Sequence, residues 1–148
     1  SPGLPVFTTI RRPETWLPSV FRWMRRQSAV GEWRPFPGPA AILHTLTGDD
    51  YPTVVRDILE HSPGVCGRIQ EQYVQAADVA LRQENLTEEL TAWLRANIEE
   101  VPTDAVRDLS LVNETRDVVK RQVPCDLPDQ LKAEFLDSER EFTHQFWD

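Results

Sequence analysis

The stretch DDYPTVVRDIL, residues 49–59, carries the marks of a helix start and of a buried helix face within three turns. Asp49 or Asp50 can accept from the free N–H groups of a first turn, and Pro52 has no N–H to leave unsatisfied there. Tyr51, Val54, Val55, Ile58 and Leu59 then recur at the three- and four-residue spacing that lines one side of a helix. This pattern repeats along the chain in both directions, and it predicts an all-α fold.

Upstream, AAILHTL (40–46) reads as a short apolar helix closed by Gly48. Downstream, HSPG breaks the helix that starts at Asp50, and a longer helix is expected from about Val65 to Gln83. Ile69, Tyr73, Ala76, Ala77 and Ala80 would form its stripe. Asn85 is placed to cap LTEELTAWLRANI, with Glu88 in the reciprocal capping position and Leu86, Leu90, Trp93, Leu94 and Ile98 inward. Pro102-Thr103 opens a further helix to about Val123, with Val106, Leu109, Val112, Val119 and Val123 on its apolar side. Its β-branched residues suit a strand too, but their spacing is helical. Asp126 and Pro128 begin a last helix, with Leu131, Phe135, Phe142 and Phe146 along one face. No strand-length alternation stands out. The expected architecture is a bundle or short helical-hairpin array of about six or seven helices. VRD plus an aliphatic residue, at 55–58 and again at 106–109, is a weak echo of a repeat.

The first 39 residues differ in character. Seven of the twelve prolines lie there, as do Trp16, Trp23 and Trp33. One short amphipathic helix fits, from Pro18 to about Ala29, with Leu17, Val20, Phe21, Trp23 and Met24 on one side and Arg22, Arg25 and Arg26 opposite. RPFPGP then reads as a stiff connector. Residues 1–39 are therefore expected to be a docking arm, and residues 40–148 an acidic helical domain.

The chain of 148 residues has a net charge of −8. Residues 1–38 carry +4, which leaves −12 for the rest. So acidic a body repels nucleic acid, and only the N-terminal segment could attract phosphate. Lysine occurs only at 120 and 132; arginine supplies the other basic side chains. Ser1 in place of an initiator methionine fits a trimmed chain or a mature end left after a leader is removed. Together these traits suggest an intracellular, reducing compartment, with the mitochondrion as one setting. Two cysteines, Cys66 and Cys125, are too few for a disulfide framework. No apolar run approaches the roughly 18 residues of a membrane span.

Little in the sequence announces chemistry. There is no phosphate-binding glycine loop, no paired-cysteine motif and no nucleophile elbow. His61 and Cys66, even joined by Cys125 or His144, lack the close ligand pairs of a zinc site, and His44 lies in an apolar stretch. Asp49-Asp50 and Glu99-Glu100 are neighbours whose side chains diverge. No catalytic residue, cofactor, metal or small-molecule substrate is therefore assigned, and the expectation is not an enzyme. Trp and Arg are enriched at interface hot spots, so Trp16, Phe21, Arg22, Trp23, Met24, Arg25, Arg26, Trp33 and Phe36 are the expected partner-binding residues. The partners would be other protein subunits of a complex, with peripheral membrane contact by the short helix as an addition. The alternatives are single-stranded nucleic-acid binding by the Trp/Arg arm and an enzyme of unrecognised type.

Overall fold

The computed structural model describes residues 3–29, 43, 50–98 and 117–148, with the side-chain surroundings of 27–29 and 117–119 left aside. The protein is mostly helical, with seven α-helices and one two-stranded sheet among the described residues. The expected helix over 40–46 (Leu43 excepted), RPFPGP and most of the helix from Pro102 lie outside them. Contacts divide the chain into two units, which in their described parts are residues 3–11 with 73–98 and residues 12–29, 43 and 50–72 with 117–148. The expected division at residue 39 lies outside the described residues.

The larger unit holds α1 (Pro13–Ala29), α2 (Tyr51–His61), α3 (Val65–Gln75) through Gln72, α5 (Asp117–Gln122), α6 (Asp129–Ser138) and α7 (Arg140–Trp147). Asp50 caps α2, its carboxylate accepting from Thr53 N at 2.8 Å. Tyr51, Val54, Val55 and Ile58 are buried, so the face read from the sequence is the face that packs. Helix α1 starts five residues earlier than expected. Pro13 occupies its first turn, and Arg12 O accepts from Thr15 N and Trp16 N. Pro18 then sits inside the helix, where it forfeits one backbone bond. Packing compensates: Leu17 and Phe21 are buried with Leu43, Tyr51, Ile58, Val65, Ile69, Leu131 and Phe135 in one core. Each such side chain contributes ~1.5–3 kcal/mol, comparable with the ~3 kcal/mol that an interior proline costs.

The last helix of the sequence reading is two helices. The apolar stripe holds, since Phe135 and Phe142 are both buried seven residues apart. Yet the helix is interrupted at Glu139, whose N still donates to Phe135 O at 3.2 Å. Phe142 stacks against Phe146 and Trp147, and the Arg12 guanidinium lies 5.3 Å from the Trp147 ring centre.

The smaller unit corrects the sequence reading twice. First, the helix expected to reach Gln83 stops at Gln75. Ala76 N and Ala77 N donate three residues back, tightening the last turn. Val79–Arg82 then forms a strand, β2, parallel to β1 (Phe7–Ile10) with Phe7 opposite Val79. Asp78 decides this: its N donates to Val6 O and its Oδ2 accepts from Val6 N, both at 2.7 Å. Pairing distant in sequence overrides the helical preference of Ala76, Ala77 and Ala80. Second, Asn85 precedes α4 (Leu86–Asn97) without a side-chain cap bond. The acidic residue that turns back is Glu89 rather than Glu88: it accepts from Arg82 N at 2.6 Å and Arg82 Nε at 2.5 Å. Leu81, Leu86 and Leu90 form the core here, with Trp93 and Leu94 half-buried against them and Ile98 exposed. Phe7 stacks on Trp93 at 6.1 Å.

Candidate functional site

Helix α1 divides the residues expected to bind a partner between its buried and its exposed sides. Phe21 keeps 6% of its surface and stacks on Tyr51 with ring centres 5.5 Å apart. A side chain enclosed in its own core has no face left for a partner, so Phe21 is a core residue. Trp16 is half-buried against the same core. Arg22 donates from Nε to Val123 O at 3.0 Å, and Arg25 lies 5.2 Å above the Phe21 ring. Met24 is half-buried. Of the expected partner-binding residues on α1, Trp23, 38% exposed, and Arg26 are the exposed ones. Trp33 and Phe36 lie outside the described residues.

Beneath the first turns of α1 is a cavity of about 270 Å³. Glu14, Tyr51, Cys125 and Phe135 line its interior, and Asp126, Asp129 and Lys132, all exposed, stand at its rim. Glu14 comes from the first turn of α1, Tyr51 from the start of α2, Cys125 and Asp126 from the segment that enters α6, and Asp129, Lys132 and Phe135 from α6 itself. Burial pushes the Tyr51 phenol well above its usual range, so the ring presents a neutral hydroxyl. Burial likewise raises the Cys125 thiol, against the opposing pull of Arg22. Its Sγ sits 3.7 Å from Val123 O and 3.9 Å from Pro18 O. Glu14 Oε2 is a buried oxygen that meets no hydrogen-bond donor among the described residues. Its other oxygen lies 3.9 Å from Arg12 Nη1.

The Glu139 carboxylate, fully buried, has a different character. Glu139 is 2% exposed and bridges the first turn of α3, accepting from Cys66 N at 3.0 Å and Gly67 N at 2.8 Å. Both amides are among the donors a helix start leaves free, and the helix dipole favours an anion there. Burial raises the Glu139 carboxyl, while the two amides and the Cys66 thiol pull it back. Burial also drives the Cys66 thiol well above its ordinary value, helped by the Glu139 charge. Glu139 and Cys66 thus hold one another as a structural staple, and Cys66 is an inert core thiol. Sequence gave no hint of this pair, which lies 73 residues apart and depends on the break between α6 and α7.

Of the histidines, His61 shares hydrogen-bonding distance with Asp57 O and His144 with Asp148, both on exposed surface. Asp57, Glu60 and His61 are the one trio among the described residues whose ligand atoms lie within 4.8 Å of one another. They sit on the exposed last turns of α2, a common surface arrangement. No described helix is long and apolar enough to cross a membrane. Comparison of the chain with protein-family profiles, with curated proteins and with solved structures finds no match.

Proposed function

We propose that this chain is a non-enzymatic interaction protein, an accessory or structural subunit of a larger assembly, which docks through the outward strip of α1. One observation carries the reading: Trp23 keeps 38% of its surface on a helix whose neighbouring Leu17 and Phe21 are buried, with Arg26 exposed beside it. Trp and Arg are among the side chains most enriched at interface hot spots. The docking element is narrower than the sequence suggested, since Phe21 and Trp16 serve the core. The protonated states of Cys66, Cys125 and Tyr51 support the non-enzymatic part, because none is an activated nucleophile. The proposed partner is an acidic protein surface, and an organellar, membrane-associated assembly is the setting in which arginines could also meet lipid phosphates.

The test is site-specific photocrosslinking in the source cells. A photoreactive residue at position 23 should give one discrete adduct, while the same residue at exposed position 84 in the smaller unit should not. Arg26→Glu should abolish that adduct without changing the far-UV circular dichroism. Equal labelling from both positions would remove the basis for the proposal.

A further inference from the structure

We infer that the outer edge of β1 pairs, antiparallel, with the same edge of a second copy of this chain. The two smaller units then share one four-stranded sheet in the order β2, β1, β1, β2. This surface belongs to the unit that does not carry Trp23, so the inference is independent of the docking role proposed for α1.

The sheet of the smaller unit is unfinished. Among the described residues β1 and β2 form a parallel pair that no third strand joins. Parallel strands ordinarily lie inside larger, covered sheets, and two strands alone are marginal. At the end of β2, Glu89 takes the Arg82 amide at 2.6 Å. The β1 segment is open instead: Leu4 keeps 91% of its surface, Val6 54% and Phe7 43%, and Thr9 is exposed. Alternate residues of a strand aim their N–H and C=O groups to either side, so β1 presents a row that only an extended partner can match.

Charge selects the occupant. Residues 3–10, GLPVFTTI, carry no charge in a chain of which 27% is charged. Edge strands that stay single are usually guarded by a charge, often lysine, and β1 has none. Pro5 lacks an N–H and so ends the edge on its N-terminal side. The two ends of the strand differ in sign. Asp78 Oδ2 accepts from Val6 N at one end, and Arg11 follows Ile10 at the other. An antiparallel copy centred on Thr8 sets Val6 against Ile10 and Phe7 against Thr9. It also carries Arg11 of each copy to the Asp78 end of the other, whereas a parallel copy would set like charge on like. A chain of net charge −8 repels its own copy over most of its surface, so contact is favoured at a neutral edge with complementary ends. The pairing is the same on both sides and therefore closes at two copies.

Sedimentation velocity of the full chain from about 1 µM to about 500 µM tests this. The mass should rise from 17.1 kDa toward twice that value. Amide hydrogen exchange at residues 6–10 should slow over the same range. Thr9→Lys places a lysine in each copy of the shared edge and should weaken association about tenfold or more. Arg11→Glu should weaken it too, with circular dichroism showing both variants folded. Arg26→Glu, on the α1 strip, should leave the dimer unchanged; a dimer lost there means that the copies meet through α1, and the inference fails. A monomer at every concentration, or a Thr9→Lys dimer within about twofold of the parent in affinity, overturns it equally.

Discussion

Replacing Glu139 by alanine removes the acceptor of two buried amides at once. Hydrogen bonds to a charged group contribute about 1.5–3 kcal/mol each, and an orphaned buried N–H costs a similar amount. Two such bonds to Cys66 N and Gly67 N, at 3.0 and 2.8 Å, set a gross loss of about 3–6 kcal/mol. Freeing a buried carboxylate from its desolvation cost returns part of that, so the expected net loss is about 3 kcal/mol. Glu139→Gln keeps one acceptor but turns an amide N–H₂ toward the other donor, and should lose roughly half as much, about 1.5 kcal/mol. Urea unfolding at pH 7, followed by circular dichroism, measures both. Glu139→Leu is the control, because it fills the space but accepts nothing. If Glu139→Leu is as stable as the parent, the carboxylate does not hold α3, and the staple is refuted. The pH dependence has a defined sign. The folded-state carboxyl is raised above its ordinary value of 4.5. Protonation therefore adds stability that is fully present below 4.5 and is lost as pH rises through the folded value, so the losses expected at pH 7 are those of the ionised carboxylate alone. In Glu139→Gln that pH dependence should be absent.

Three further outcomes follow from single contacts. Gly67→Ala would gain up to ~1 kcal/mol of helix propensity but would place its new carbon 2.5 Å from Phe142 Cβ. That atom cannot swing away from its backbone, so overpacking of about 1–3 kcal/mol should win and thermal unfolding should report a net loss; an increase in Tm would refute the close approach. Cys66, buried and protonated, should resist alkylation at pH 8 until the protein is unfolded, while half-buried Cys125 labels sooner; mass spectrometry of time points decides between them. The Asp50 carboxyl is held below its ordinary value of 3.8 by the Thr53 backbone hydrogen bond first. The stability advantage of the parent over Asp50→Ala should accordingly be full above 3.8 and fade as pH falls through the lower folded value; an advantage that grows on acidification would contradict the cap.

The predominance of helix and several helix faces were legible in the amino-acid order because they depend on neighbours three and four residues apart. Tyr51, Val54, Val55 and Ile58 form the buried side of α2, as the spacing implies, and Asp50 is the one of the two offered aspartates that caps it. Phe135 and Phe142 keep one apolar stripe even where the helix between them is broken. What tertiary structure decided was every feature that joins distant residues. Asp78 pairs with Val6 across 72 positions, and that pairing turns an alanine-bearing helical pattern into a strand. Glu139 reaches Cys66 and Gly67 across a similar distance and ends α6 to do so. The cavity gathers Glu14, Tyr51 and Asp129 from three elements, so no local motif could announce it. The same cause divided α1: periodicity identified an apolar side, but only packing determined that Phe21 belongs to the core while Trp23 faces outward. Local propensity is worth tenths of a kilocalorie per residue, and a buried hydrogen bond or ring several times more, so contacts distant in sequence prevail wherever the two conflict.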